Sequence, residues 1–284
     1  MSCVRFHFLP RVAALYYALL ASGYDAYAPE KAPALLRRLE AFRADAPPMP
    51  TFFRQVRQPA CAVYPYWPRA SLLETATIYL DDPGFPGPDY RNLVSAATNL
   101  TNADRDDAFW AWVREFPSAL SRVQAQPSCR SYLAWAQAWL LEQAERYRPE
   151  LGALEAALRL LSARYGAPSR QVLIALDPIK CAYSADYQNQ GEAFTVIAGS
   201  FQPAVVLHEQ LHPLVRPLVA AHRREIAARP GLTAELDPSY HLRGEEAGLV
   251  NAFEELFVRR LTAELLAGRP PASLSGALRQ LLAP

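Results

Sequence analysis

The sequence predicts a mostly helical α+β protein in which a small β-sheet follows a helical N-terminal region. Apolar residues recur at helical spacing through much of residues 12–165. Short runs rich in β-branched residues follow, and further helical stretches close the chain. Hydrophobic residues make up 51% of the 284 residues, which is enough to bury a core. We therefore expect a helical region over 1–165 and a sheet-containing region over 166–284, either as two domains or as one continuous domain.

The N-terminal region divides at proline-rich segments. Residues 46–50 and 82–88 carry several prolines each, and such segments interrupt helices. The apolar spacing between the breaks predicts helices over 12–21, 32–44, 106–124, 131–147 and 151–165.

The first apolar stretch has two interpretations. Basic residues precede 12–21, and Ala26-Tyr27-Ala28 resembles a signal-peptidase site, so secretion is one alternative. Against it, Pro10 lies just before the stretch, and Tyr16-Tyr17 interrupt it. We therefore expect a helix of the folded protein and a cytoplasmic location.

The second region begins with strands and ends with helices. Residues 171–176 and 193–198 predict strands, separated by a polar loop with a turn signal at Asn189-Gln190-Gly191. A helix is expected from Ala204 onward, since Pro203 is tolerated in a first turn. Further helices are predicted over 243–267 and 273–282.

Charge and composition exclude several classes of partner. The net charge of +1 gives no electrostatic footprint for nucleic acid, and no apolar run reaches the length of a membrane span. The four cysteines form no C-x-x-C pair, so free thiols are expected, with a disulfide between residues distant in the sequence as the alternative. Among the 29 basic residues only Lys31 and Lys180 are lysines, which we interpret as genome bias or heat adaptation and not as a binding signal. Nothing in the sequence predicts an oligomeric state.

One segment carries the pattern of a metal site. His208-Glu209-Gln210-Leu211-His212 matches H-E-x-x-H on the helix expected from Ala204. Residues four apart share one helix face, so both imidazoles can reach one zinc ion. Glu209 then lies beside the metal, where it can act as a general base on a metal-bound water.

A catalytic zinc needs a third protein ligand. The extended H-E-x-x-H-x-x-G-x-x-H pattern is absent, because Val215 and Leu218 occupy its glycine and last histidine positions. The helix over 243–267 offers Glu254 and Glu255. Periodicity places Glu254 beside the apolar face and Glu255 further from it, which favours Glu254.

The segment from His208 to Val219 resembles bacterial gluzincin-type domains of uncharacterised activity, in which H-E-x-x-H precedes a proline-leucine-valine stretch. In these domains a glutamate precedes a Val-Arg pair on a later helix, and Glu255-Leu256-Phe257-Val258-Arg259 is similar. The resemblance implies a zincin-like catalytic region, made of a small sheet and the H-E-x-x-H helix. It also implies one zinc ion held by two histidines and a glutamate. It favours Glu255 as third ligand over Glu254, and we prefer Glu255.

Other residues are candidates for supporting roles. An oxyanion needs a hydrogen-bond donor, for which Tyr240 and His241 are the first candidates and Tyr183 and Tyr187 the alternatives. Asn251 is a candidate hydrogen-bond partner of a ligand histidine. We also expect the strand over 194–198 to be a sheet edge that binds substrate as an added strand.

These features favour a zinc metallopeptidase that acts on a peptide or protein. A hydrolase of a non-peptide ester or amide is an alternative that the sequence does not separate from it. A non-catalytic binding or scaffold protein stabilised by a metal is the other alternative. Glu209 argues against that one, because a structural metal site needs no proton carrier.

Overall fold

The computed structural model describes residues 4–24, 31–55, 73–74, 76–78, 80, 107–168, 170–180, 185–190, 193–229, 232 and 245–283. These residues are mostly helical and include one four-stranded mixed sheet. The strands are β1 (Val4–Phe6), β2 (Gln171–Leu176), β3 (Ala185–Gln190) and β4 (Ala193–Ala198). The helices are α1 (Pro10–Ala21), α2 (Pro33–Ala44), α3 (Thr51–Gln55), α4 (Asp107–Gln124), α5 (Pro127–Arg146), α6 (Arg148–Tyr165), α7 (Pro203–Ala221), α8 (Arg223–Ala228), α9 (Glu245–Leu266) and α10 (Leu274–Leu282). Within the described ranges, no helix has the length and apolar character that crossing a membrane requires.

The strands lie in the order β1-β2-β4-β3. The β1–β2 and β2–β4 pairs are parallel, and β3 runs antiparallel to β4 with Tyr187 opposite Val196. Because β1 comes from the N-terminal region and pairs with β2, both regions expected from the sequence contribute to one sheet.

Each face of the sheet is covered by its own hydrophobic cluster. Ala175 and Ile197 pack against the N-terminal helices, while Ile174 and Val196 belong to the cluster on the other face. That second cluster contains the buried residues of α6, α7, α9 and α10. The alternation follows from the period-2 geometry of a strand, and it makes β2 and β4 the centre of a helix–sheet–helix arrangement.

Helix α1 is buried along nearly its whole length. Its residues 12–20 are all at most 3% exposed. A helix that is apolar on every side belongs in an interior. In this structure the stretch for which the sequence left two interpretations open is therefore a core helix.

The predicted strands over 171–176 and 193–198 are confirmed, and the main helices lie where apolar spacing predicts them. Two expectations about strands are wrong. The segment Ala185–Gln190, expected as a polar loop, is strand β3. The strand over 194–198 is internal, because β4 pairs with β2 on one side and β3 on the other. Polar residues suit a strand at the end of the sheet, because such a strand is less completely covered than a central strand. Since β3 lacks an apolar run, the hydrophobic pattern did not predict it.

Candidate metal centre

The H-E-x-x-H motif lies in the first half of α7, beside the sheet. Helix α7 begins at Pro203, and its side chain Leu207 is fully buried in the cluster that α7 shares with α9 and the sheet. This packing leaves His208 and His212 on one face, with ring centroids 4.8 Å apart and planes at 79° to each other. The Nε2 atoms of the two rings are 3.1 Å apart.

Glu255 of α9 completes a cluster with these two rings. Its Oε2 lies 3.2 Å from His208 Nε2, and its Oε1 lies 3.4 Å from His212 Nε2. Burial opposes ionisation of Glu255, but a hydrogen bond with His208 and the charges of His212, His208 and Arg259 lower its pKa overall. In the metal-free protein these contacts therefore favour the charged carboxylate.

The donor set fits a zinc ion. Tetrahedral ligands about 2.0–2.1 Å from zinc lie about 3.3–3.4 Å from one another. The two Nε2 atoms are 3.1 Å apart, and the shortest distances from the rings to the carboxylate, 3.2 Å to Oε2 and 3.4 Å to Oε1, come close to those values. Among the described residues these three form a group whose ligand atoms all lie within 4.8 Å of one another. Two imidazoles and one carboxylate are also ligand types found at catalytic zinc sites.

Glu254 lies on the opposite side of the His212 ring from Glu255. Its Oε1 is 2.7 Å from His212 Nδ1, and the residue is only 5% exposed. A carboxylate at this distance favours a proton on Nδ1, so Nε2 keeps its lone pair toward the cluster. The two neighbouring glutamates therefore contact different atoms of the same histidine.

Two further residues surround His212. Arg216, one turn later on α7, places Nη2 3.1 Å and Nε 3.2 Å from Glu254 Oε1. Tyr187 of β3 stacks on the His212 ring at 6.2 Å between centroids and 11° between planes. The Arg216 Nη1 is 3.5 Å from the Tyr187 hydroxyl. Neither residue belongs to the motif, yet Arg216 contacts Glu254 and Tyr187 contacts the His212 ring itself.

Glu209 follows His208 on α7 and is partly buried. Burial raises its pKa well above the ordinary value, and the carboxylates of Asp186 and Glu255 raise it further, against the charges of Lys180 and Arg216. A bound cation would act in the opposite sense, because a nearby positive charge favours the carboxylate.

A buried network lies behind Asp186, the residue of β3 just before Tyr187. Lys180, which is 1% exposed, contacts Asp186 Oδ2 at 2.6 Å, Glu74 Oε2 at 2.9 Å and the Tyr16 hydroxyl at 3.2 Å. Burial lowers the pKa of Lys180, but Asp186 and Glu74 outweigh this and raise it. Burial raises the pKa of Glu74 to about 8.

The other lysine of the chain, Lys31, belongs to the same buried network. Lys31 donates to the backbone carbonyl of Lys180 at 2.9 Å, so the chain's two lysines are buried in direct contact. The rarity of lysine among many arginines is visible in the sequence. Composition alone, however, does not predict that the two lysines contact each other.

The structure brings together some of the predicted site residues. His208, His212 and Glu255 converge, with Glu209 between the two histidines in the sequence and Glu254 beside His212. Tyr240, His241 and Tyr183 lie outside the described residues. The expectation for Asn251 is wrong for His212, because Asn251 is exposed and Glu254 occupies the Nδ1 side.

The residues that sequence reasoning missed are Arg216, Asp186 and Lys180. Arg216 had a detectable signal, because it lies at i+4 from His212 on the same helix face. Asp186 had none, since its contacts depend on where β3 lies in the sheet, and Lys180 was marked only by the rarity of lysine in the chain.

Comparison with protein-family models, with curated proteins and with solved structures found no match to this chain. The assignment of a function therefore depends on the chemistry of the residues described above.

Proposed function

We propose that this protein is a zinc-dependent hydrolase that cleaves peptide bonds, with His208, His212 and Glu255 as zinc ligands and Glu209 as general base. One observation carries the proposal. The Nε2 atoms of His208 and His212 are 3.1 Å apart, each lies within 3.4 Å of one oxygen of Glu255 on the neighbouring helix, and an acidic residue follows the first histidine.

The protein side chains divide the chemistry between them. A zinc ion at this site would polarise a carbonyl group and lower the pKa of a coordinated water. His208 and His212 offer Nε2 lone pairs, and Glu255 offers one negative charge. Three protein ligands leave one tetrahedral position for water or substrate, as catalytic zinc sites require.

Glu209 supplies the proton transfers. In the metal-free protein, burial and the neighbouring carboxylates of Asp186 and Glu255 increase its affinity for a proton, and a bound cation would favour the carboxylate that a general base needs. That carboxylate would accept a proton from the attacking water and then return it to the leaving nitrogen. This role distinguishes a hydrolase from a scaffold protein with a structural metal, which has no use for Glu209.

The sheet supports a peptide as the substrate and a zincin-like fold for the catalytic region. Among the described strands, β3 lies at one end of the order, antiparallel to its neighbour, and Tyr187 of β3 contacts the ring of His212. An extended peptide added along the outer edge of β3 would run beside the metal ligands. We therefore propose that the substrate binds along the edge of β3 and not along β4. A cytoplasmic location is also part of the proposal.

The test is the variant Glu209→Gln. It should keep one equivalent of zinc and lose about 10²–10⁴-fold of the hydrolysis rate, the usual contribution of general acid–base catalysis. Zinc content and cleavage of a fluorogenic peptide library are measured on the same preparation. Glu155→Gln, on the partly exposed surface of α6, is the control with the same change in charge.

Unchanged peptide cleavage in Glu209→Gln would contradict the mechanism. Cleavage of activated esters without any cleavage of peptides would contradict the substrate class and leave the metal chemistry standing.

A further inference from the structure

We infer that Arg216 and Tyr187 are positioning residues for the metal ligand His212, and that they tie it to the end strand of the sheet. This inference rests on the proposed zinc site. Neither residue belongs to the motif or to the proposed ligand set.

The four side chains form a closed ring. His212 Nδ1 meets Glu254 at 2.7 Å, Glu254 meets Arg216 at 3.1 Å, and Arg216 meets the Tyr187 hydroxyl at 3.5 Å. The Tyr187 ring then returns to His212 by stacking at 11°. Both the hydrogen-bonding edge and one flat face of the His212 ring are therefore held.

Arg216 has a physical reason to be required. Glu254 is 5% exposed, and burying a carboxylate without a positive partner costs free energy. Arg216 directs both Nε and Nη2 at the Glu254 carboxylate, and a planar guanidinium fixes orientation as well as charge. Burial lowers the pKa of Arg216, but Glu254 and Tyr187 outweigh this and raise it.

Tyr187 is held firmly enough to act as a support. Its ring lies against Phe194 at 5.2 Å and 15° on β4, in addition to the contact with His212. The preceding residue, Asp186, is held through Lys180 on the N-terminal side of the sheet. Two consecutive residues, Asp186 and Tyr187, thus fix strand β3. Because the Tyr187 ring also stacks on His212, the position of β3 constrains the orientation of the His212 ring.

The experiment measures metal affinity rather than turnover. Metal-free protein competes for Zn²⁺ with a chromophoric chelator, in the wild type and in Arg216→Ala, Arg216→Lys and Tyr187→Phe. Loss of a residue that orients a ligand weakens metal binding by about 10–100-fold, which is the effect expected for Arg216→Ala. Arg216→Lys should fall between that variant and the wild type, because an ammonium cannot reproduce the fork. Tyr187→Phe keeps the stacking and should weaken binding less than Arg216→Ala.

The chain offers a closely matched control in Arg159→Ala. Arg159 is 56% exposed and pairs with a glutamate on its own helix, whereas Arg216 is 55% exposed. The control should keep wild-type Zn²⁺ affinity. The absorption spectrum of the Co²⁺-loaded protein should shift in Arg216→Ala and not in Arg159→Ala, because it reports the geometry of the ligands.

The outcomes distinguish failure of the proposed zinc site from failure of the positioning role alone. The proposed function would be overturned if the wild type binds no Zn²⁺, or if His208→Ala binds Zn²⁺ with the same affinity as the wild type. Zinc binding that depends on His208, with the same affinity and Co²⁺ spectrum in Arg216→Ala and Arg159→Ala, would overturn the positioning role alone. If Arg216→Ala does not fold, Arg216→Lys and Tyr187→Phe decide, and wild-type values in both would overturn it.

Discussion

The neighbouring carboxylates Glu254 and Glu255 should respond very differently to the same substitution. Glu255→Gln removes the charge of the proposed ligand, whose oxygens lie 3.2 and 3.4 Å from the two histidine Nε2 atoms. Glu254→Gln changes only the partner of His212 Nδ1, 2.7 Å away on the far side of the ring. Both variants lose one negative charge and almost no volume, so each is the other's control.

The structure sets the expected magnitudes. Glu254→Gln keeps all three proposed zinc ligands and should weaken Zn²⁺ binding by about 10–100-fold, or roughly 1.4–2.7 kcal/mol, as for other residues that orient a ligand. Glu255→Gln leaves two protein ligands, because a glutamine amide is not among the usual ligands of zinc. Its loss should therefore exceed about 100-fold.

Competition with a chromophoric chelator measures both affinities, and thermal unfolding of the metal-free variants shows whether each is folded. Equal losses would refute the assignment of distinct roles. A larger loss of Zn²⁺ affinity in Glu254→Gln than in Glu255→Gln would reverse the assignment. Glu254, which the periodicity favoured, would then be the third ligand.

Two predictions concern the buried network behind the site. Because the folded pKa of Glu74 is about 8 against an ordinary value of 4.5, the folded protein holds a proton that the unfolded chain releases. The free energy of unfolding should therefore fall as pH rises from about 5 to 8, by up to roughly 1.4 kcal/mol per pH unit for this group. Glu74→Gln should flatten that slope in urea unfolding, while a slope equal to the wild type's would contradict it. Lys180→Met should cost about 3–5 kcal/mol of stability by leaving Asp186 without its buried cation. The double variant Glu74→Gln/Lys180→Met tests the pairing, because its loss should be smaller than the sum of the two single losses.

Much of the fold follows from apolar periodicity. The helices that pack on the sheet carry it over many residues, and the central strands are short β-branched runs, so both are visible in the sequence. Strand β1 is only three residues long and β3 is polar, and neither repeats a pattern often enough to be recognised.

The candidate site shows the same division. The spacing of His208 and His212 is local, because one helical turn determines it. The choice between Glu254 and Glu255 is not local, because consecutive residues on α9 point about 100° apart and the rotation of α9 against α7 decides which one meets the cluster. Periodicity correctly indicated that Glu254 is the more buried of the two. Burial and access to the cluster are different properties, however, and only the packed helices separate them.

Zinc K-edge X-ray absorption of the wild-type protein, loaded with one equivalent of Zn²⁺, tests the proposed donor set most directly. The account predicts two imidazole nitrogens at about 2.0–2.1 Å and oxygen at about 2.0–2.2 Å. A shell with sulfur at about 2.3 Å, or one without imidazole scattering, would contradict it.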